Sequence, residues 1–375
     1  MRKVLMNNKI KIAQSVTRLE FGGVESILLN YISHMDKEKL DFHIITQDIN
    51  VDGCIKQFED AGVKVHIVTH KNKSIVKNFS DLRKLMKKEK FDIVHSHMTL
   101  TNFTVLFFAR LAGVKVRISH SHNAFKTNSF VKKVTWKVLK VVNKICANVY
   151  ATCGYDAGVF MFGKKNMDNG NVYMMNNAID LNKFKYNEEI RNKIRKKYGI
   201  NNEICIGHIG RFMEQKNHLF LVDIFAKFLK IHPDAKLMLI GSGELEENVK
   251  EYIKEKNIES SVIFTGNITN ANECYQAMDA FVLPSLFEGL PVVSIEAQAA
   301  DLKCLVSDRV DKKCAITDNI EFYSIEKSPE EWAEKIDSML GVPRETNVLN
   351  DIRKAHYDIE KESKELEKLY IGEFE

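Results

Sequence analysis

The 375-residue sequence predicts two doubly wound α/β domains in tandem, each a parallel sheet flanked by helices. Three observations carry that expectation. A mass of 43.1 kDa with 45% hydrophobic residues is enough for two cores of ordinary size. Short β-branched runs alternate with longer helical stretches along the whole chain, the pattern of βα units. Five prolines, eighteen glycines and no low-complexity tract describe a compact, mostly regular protein, and exclude disorder, collagen and small disulfide-stapled scaffolds.

In the first half, strands are expected at 10–16, 42–46, 64–68, 93–96, 116–120 and 149–152, with helices filling the gaps. In the second half they are expected at 204–209, 236–240, 262–265, 280–283 and 304–307. The polar stretch 186–198 reads as a short helix that opens the second series. The domain boundary is therefore set after Asn176-Asn177-Ala178-Ile179-Asp180, giving domains 1–180 and 181–355. Residues 356–370 are helix-forming, with Ile359, Leu366 and Leu369 at helical spacing, so the segment 356–375 is expected to pack back on the N-terminal domain. In open α/β sheets ligands sit outside the carboxyl ends of the strands, and two facing domains would form a deep cleft there.

The net charge of +5 hides two electrically different halves. Residues 1–180 hold 28 Lys and Arg against 15 Asp and Glu, whereas residues 181–375 hold 27 against 35. Between Asp92 and Asp156 there is no acidic residue at all. Such a field calls for an anionic partner. From Phe130 to Ile145, Lys132, Lys133, Lys137 and Lys140 are interleaved with Val131, Val134, Trp136, Val138 and Val141, a helix suited to docking on an anionic membrane surface. The competing reading is a core-packed helix with a solvated lysine face. Nucleic acid is a third reading and not the expected partner, because there is no recognisable nucleic-acid module and the acidic half would repel a long polyanion.

The seven cysteines are odd in number, scattered and never spaced Cys-x-x-Cys, which points to a reducing compartment and no zinc site. The first sixteen residues alternate basic and short apolar stretches without a signal-peptide core, and no segment approaches a membrane-spanning length. The expected location is the cytoplasm, peripheral at the inner face of the cell membrane.

Five loops at strand ends carry the candidate chemistry. Phe21-Gly22-Gly23 opens a helix where backbone could approach a phosphate, although a plain tight turn explains the pair equally well. Ser119-His120-Ser121-His122-Asn123 ends a strand, and His95 and His97 end the one before. Four clustered histidines suit hydrogen bonding to sugar or phosphate better than a metal, since no carboxylate or cysteine completes a ligand set. Gly210-Arg211 to Lys216 offers a guanidinium fork and a point charge for phosphate oxygens. Gly241-Ser242-Gly243 signals close backbone approach. Glu288-Gly289-Leu290-Pro291 enters a helix that carries Glu296, placing one glutamate in the loop and a second beside it. With a diphosphate at that helix N-terminus, Glu288 would reach sugar hydroxyls and Glu296 those of a ribose.

These motifs, in this order over nearly the whole chain, resemble the retaining GT-B-fold glycosyltransferases of glycosyltransferase family 4, in the branch that builds bacterial exopolysaccharide and capsule. The most specific element is Glu-x7-Glu, here Glu288 to Glu296. The resemblance implies that Glu288 contacts the donor sugar and Glu296 the ribose. It likewise implies that Arg211 and Lys216 bind the diphosphate, and that Gly289 and Leu290 line the donor site. Gly22 and Gly23 resemble the glycine loop near donor phosphates and acceptor, and Asn177 to Asp180 the interdomain Asn-Gly-Ile-Asp, with Ala178 for glycine. His120 resembles the histidine that meets the transferring sugar, with His122 as the competing alignment and Asn123 beside it. Two departures stand out: Asp301 and Lys303 replace the glycine and proline that usually follow the second glutamate. No Asp-x-Asp occurs, so no metal and no other cofactor is expected, and basic groups would stabilise the leaving diphosphate.

The implied activity is transfer of a hexosyl group from a nucleotide diphosphate sugar, UDP-linked, to a lipid-linked glycan acceptor with retention. The donor would bind the second domain and the acceptor the first. Two rivals share the fold: a nucleotide-sugar 2-epimerase, which needs no acceptor and leaves the lysine helix unexplained, and a non-catalytic glycan-assembly protein, against which the intact Glu288, Glu296, Arg211 and Lys216 count.

Overall fold

The computed structural model describes residues 9–19, 23–47, 52–268, 270–344 and 348–372. The chain forms two compact units, Met1–Ile179 together with Ile359–Glu375, and Asp180–Asp358. The first carries a seven-stranded sheet of β1 (Ile10–Ser15), β2 (Leu40–Thr46), β3 (Lys64–Ile67), β4 (Ile93–Ser96), β5 (Val116–Ser121), β6 (Val149–Thr152) and β7 (Tyr173–Met174). Every pairing is parallel, in the order β3-β2-β1-β4-β5-β6-β7. The second carries β8 (Cys205–Ile209), β9 (Lys236–Ile240), β10 (Val262–Gly266), β11 (Ala280–Leu283), β12 (Lys303–Ser307) and β13 (Ile320–Tyr323) in the parallel order β10-β9-β8-β11-β12-β13. Both are doubly wound α/β sheets, and each reverses its winding once, between β1 and β4 and between β8 and β11.

Central strands covered on both faces are expected to be apolar, and β11 is so throughout and β9 from Leu237 onward. Polar residues collect at the carboxyl ends: Gln14 and Ser15 on β1, His95 and Ser96 on β4, Ser119 to Ser121 on β5. Register sets Gln14 opposite His95 and Ser96 opposite Ser119. Gln14, His95, His97, His120 and His122 therefore share one face across the switch point, because side chains two residues apart in a strand point the same way. One core of the first unit gathers Ala13, Ile45, Val94, Val105 and Leu106. The second unit packs Phe212, Phe225, Phe228, Leu237 and Trp332.

β7 and β13 were not legible in the sequence. β7 has two residues, too few to show a period, and pairs with β6; β13, of four residues, is an edge strand that pairs with β12 alone. The C-terminal helix starts at Ile359 rather than 356. His356 takes a left-handed conformation (φ 66°) after the helix Val348–Lys354, and the Ile359 amide then bonds the Ile179 carbonyl at 3.0 Å. The helix Ile359–Ile371 lies in the first unit, with Ile359, Leu366 and Tyr370 buried.

The departure at Asp301 has a local explanation. The helix Val292–Ala299 ends in a paired-bond cap, with Asp301 N donating to Gln298 O (2.9 Å) and Leu302 N to Ala297 O (3.0 Å). That cap needs a left-handed residue, ordinarily glycine, and Asp301 has φ 56°. Its Oδ1 accepts from Asn319 Nδ2, whose amide oxygen accepts from Lys303 Nζ at 2.6 Å, so the two departures are linked through one asparagine. Asp301→Ala is expected to destabilise the second unit by about 1–2 kcal/mol, keeping the strain and losing the bond. Asp301→Gly, which relieves the strain, should cost less; urea denaturation midpoints of the two variants compare them.

Candidate active site

In the second unit the site grows from two loops at the switch point, one leaving β8 and one leaving β11. The first loop, from Gly210 to Asn217, is carried by its neighbour. Phe212 N bonds Ser242 O (3.1 Å) and Leu245 N bonds Phe212 O (3.0 Å), a fit that only glycines permit. A Cβ on Gly241 (φ +134°) would lie 2.2 Å from Gly210 O, and one on Gly243 2.4 Å from Phe212 O. The close approach foreseen for this loop is thus to protein backbone.

The two loops are then tied together. Leu286 N bonds Gln215 O (2.8 Å), Gln215 Nε2 bonds Phe287 O (2.9 Å), and Asn217 Nδ2 bonds Pro284 O (3.2 Å). At their centre Lys216 Nζ lies 2.6 Å from Glu288 Oε1, both side chains largely buried. Ser285 Oγ donates to the same oxygen at 3.2 Å. Among the described residues, all side-chain partners of Glu288 fall on Oε1, which leaves Oε2 to accept from a hydroxyl. Backbone bonding of Glu288 O to Asp311 N (3.2 Å) fixes the loop from the other side. Arg211 is apart from this pair, exposed, with Nε 3.4 Å from Glu244 Oε2. Gly289 is exposed, and a Cβ there would meet nothing within 4 Å, so the chain's own packing does not require glycine; Leu290 is half-buried beside it.

Pro291 caps the helix Val292–Ala299 instead of opening its first turn. On that helix Glu296 is partly buried, and Tyr275 Oη donates to its Oε2 at 2.8 Å. Burial pushes the Glu296 carboxyl up to about 7, the Tyr275 bond pulling the other way. Two further histidines, not anticipated from the sequence, lie behind these loops: His208, whose Nδ1 donates to Val282 O (2.8 Å), and His218, stacked on Phe212.

In the first unit the four histidines do meet. His95 Nε2 is 3.0 Å from His120 Nδ1, and His97 Nδ1 is 2.9 Å from His122 Nε2. His120 and His122 stack at 4.1 Å and 8°. Ring nitrogens of His95, His97 and His120 lie within 4.8 Å of one another, close enough to share a metal ion. Hydrogen bonds pair these nitrogens with each other, with His122, Gln14 and Tyr370, except His120 Nε2, which has no partner among the described residues. Burial holds all four imidazoles low, His122 to about 4, so the cluster is neutral at physiological pH. Asn102, also missed from the sequence, joins the segment after β4 to the end of β5: its Oδ1 accepts from Met98 N at 2.6 Å, and its Nδ2 donates to Ser119 Oγ and His120 O, 2.9 Å each. Asn123 is exposed, Gly23 is the exposed first residue of the helix Gly23–Ser33, and Gly22 lies outside the described residues.

Residues 190–357 match the family model Glycosyl transferases group 1, and residues 21–183 the model Glycosyltransferase Family 4. EpsF of Bacillus subtilis (strain 168), provisionally named a glycosyltransferase, is 32% identical over 362 residues, 94% of each chain. This chain belongs to the group 1 and family 4 glycosyltransferases. An Escherichia coli relative, the UDP-Gal:alpha-D-GlcNAc-diphosphoundecaprenol alpha-1,3-galactosyltransferase, is 28% identical over 336 residues, 85% of each chain. The solved structure of Anabaena HepE with UDP and glucose superposes with a TM-score of 0.78 at 15% identity, covering 96% of this chain and 99% of that one. The likeness shows the GT-B fold.

The lysine helix of this glycosyltransferase, Phe130–Cys146, has three faces. Asn143 and Cys146 are buried. Phe130, Val134, Val138, Val141 and Ile145, spaced by three or four residues, form an exposed apolar stripe, with Val131 beside it. Lys133, Lys137 and Lys144 are exposed on the next face. Trp136, expected on the docking face, instead packs at 5.9 Å from Phe125 and 5.6 Å from Phe160, because its position in the helical turn faces the body of the unit. Lys140 is half-buried with Nζ over the Phe160 ring, and Lys132 is exposed. Phe107 and Leu111 of the adjoining helix Phe103–Leu111 add exposed apolar surface that the sequence reading did not include. Among the described residues no helix is long and apolar enough to cross a membrane.

The raised Glu296 carboxyl makes a stability prediction. A folded value of about 7 above an ordinary 4.5 means that the fold favours the protonated form, so its stabilising contribution is complete below pH 4.5 and is lost as pH rises through 7. Glu296→Gln should therefore leave stability unchanged near pH 4 and raise it at pH 8, by on the order of 2 kcal/mol. Melting curves of both proteins at the two pH values check this.

Proposed function

We propose that this glycosyltransferase moves a hexosyl group from a UDP-sugar to a lipid-linked glycan acceptor, with retention of anomeric configuration, at the inner face of the cell membrane in cell-surface polysaccharide synthesis. The observation that carries the proposal is the Lys216–Glu288 pair at the β8/β11 switch point. A cation for a leaving diphosphate and an acceptor for a sugar hydroxyl are held side by side before any ligand arrives, and prepaid orientation of this kind lowers a barrier. Arg211 on the exposed side adds a second cation, and the helix Val292–Ala299 adds its N-terminal amides and Glu296 for a ribose. UDP in HepE and the UDP-galactose and undecaprenol diphosphate substrates of the E. coli relative support this choice of donor and acceptor.

The acceptor oxygen attacks the anomeric carbon on the face the diphosphate leaves. The bond from that carbon to the phosphate oxygen breaks as the new glycosidic bond forms, and the acceptor's proton passes to the departing phosphate. Lys216, Arg211 and the helix dipole meet the growing negative charge, so the chemistry is assigned to these groups without a metal ion. His120 and His122 meet carbohydrate oxygens. The exposed apolar stripe with its lysine row supports docking on an anionic bilayer, the apolar side chains entering the headgroup region and the lysines meeting lipid charge.

UDP is expected to raise the melting temperature of the protein, and the Arg211→Ala variant should respond far less. Glu288→Gln should keep the UDP response and lose transfer by about 10²–10³-fold in kcat. Unimpaired transfer in that variant would overturn the site, while release of an epimerised nucleotide sugar without acceptor would favour the epimerase. Replacing Lys133, Lys137 and Lys144 by Gln should weaken binding to phosphatidylglycerol vesicles about tenfold or more, with diminished salt sensitivity. Unchanged binding returns that helix to a solvated surface.

A further inference from the structure

Gln14 lies next to the end of β1 and Tyr370 next to the end of the helix Ile359–Ile371, 356 residues apart, yet Gln14 Nε2 donates to Tyr370 Oη at 2.8 Å. Each of the four neighbouring imidazoles is neutral and so has one proton to place. Tyr370, having accepted from Gln14, gives its own proton to His95 Nδ1, 2.8 Å away. His95 must then carry its proton on Nε2, which donates to His120 Nδ1 at 3.0 Å. The His120 proton is left on Nε2. That nitrogen is buried and has no hydrogen-bond partner among the described residues.

The second arm starts from the same amide. Gln14 Oε1 accepts from His97 Nε2 at 2.8 Å, so His97 Nδ1 is bare and accepts from His122 Nε2 at 2.9 Å. His122 is left with a bare Nδ1. One amide thus gives opposite characters to two stacked rings, a donor on His120 and an acceptor on His122. Turning the amide by half a turn would reverse both arms together and move all four protons to Nδ1. A buried donor without a partner is costly to a fold, and such groups persist where a ligand supplies the partner.

We propose that Gln14 and Tyr370 are positioning residues which fix the tautomers of the two histidines, so that His120 Nε2 donates to, and His122 Nδ1 accepts from, carbohydrate oxygens of the substrates. The identity of those oxygens rests on the transferase reading; the tautomers do not. A site with a fixed donor beside a fixed acceptor distinguishes a hydroxyl from an ether or deoxy position more sharply than rings free to exchange tautomers. Tyr370 connects this selectivity to the C-terminal helix, whose Glu367 also bonds the Asp36 amide at 3.1 Å.

The test is long-range proton–nitrogen correlation on the full chain labelled with 15N-histidine, each ring assigned by its own substitution. In the unsubstituted protein His95, His97, His120 and His122 should all carry the proton on Nε2; a proton on Nδ1 of His120 or His122 there overturns the proposal. In Tyr370→Phe, His95 and His120 should become tautomer mixtures while His97 and His122, still held by Gln14 Oε1, stay unchanged. An unchanged His120 in that variant also overturns it. Transfer by Tyr370→Phe should fall about tenfold in kcat, the loss of one hydrogen bond, with UDP affinity within about twofold. If the tautomers are as stated and no UDP-sugar supports transfer, the proposed function fails and the relay stands.

Discussion

A parallel sheet covered by helices on both faces has little wet surface, so its polar side chains collect near strand ends, His43 in the middle of β2, bonded to His66 and Asp41, being an exception. Both units follow that pattern, and it decides where chemistry can occur. In each sheet the winding reverses once, and there two neighbouring connections leave in opposite directions and open space beyond the carboxyl ends. Gln14, His95 and His120 sit at one such point, Lys216 and Glu288 at the other. The hydrophobic cores beneath are ordinary; the polar groups above them are what those cores hold in register.

The two sites meet the cost of burying polar groups in different ways. In the first unit, burial strips charge from the imidazoles, and the neutral rings satisfy each other in a chain of hydrogen bonds. Direction in that chain comes from Gln14 and Tyr370, groups with no charge to lose. In the second unit Lys216 and Glu288 pair directly with each other at 2.6 Å, and Ser285 adds a further bond. Glu296 lies between these extremes, a carboxyl whose burial makes ionisation expensive near neutral pH. A carboxyl held at that cost is what is expected of a group kept for binding.

Support for the second site is itself a matter of close approach. Gly241 and Gly243 let their loop lie against the backbone of Gly210 to Phe212, and that loop in turn carries Lys216 to Glu288. Asp301 shows the converse. A conformation that glycine adopts freely is held by an aspartate because Asn319 accepts the role of anchor, with Lys303 completing the link.

The amino-acid pattern alone determined all the strands but β7 and β13, the placement of candidate loops at their carboxyl ends, and the Glu288 to Glu296 spacing that puts one carboxylate before a helix and the other on it. These are local properties, set within a dozen residues by periodicity, glycine and proline. Tertiary structure alone decided the partners. Lys216 pairs with a residue 72 positions away because β8 and β11 are neighbours, and Gln14 meets Tyr370 because the last helix returns to the first unit. It also turned Trp136 inward and left Phe107 and Leu111 outside, since a helical pattern names an apolar stripe without saying which face its neighbours will cover. Contacts between distant residues depend on strand order and chain closure, and neither is written in any short stretch of sequence.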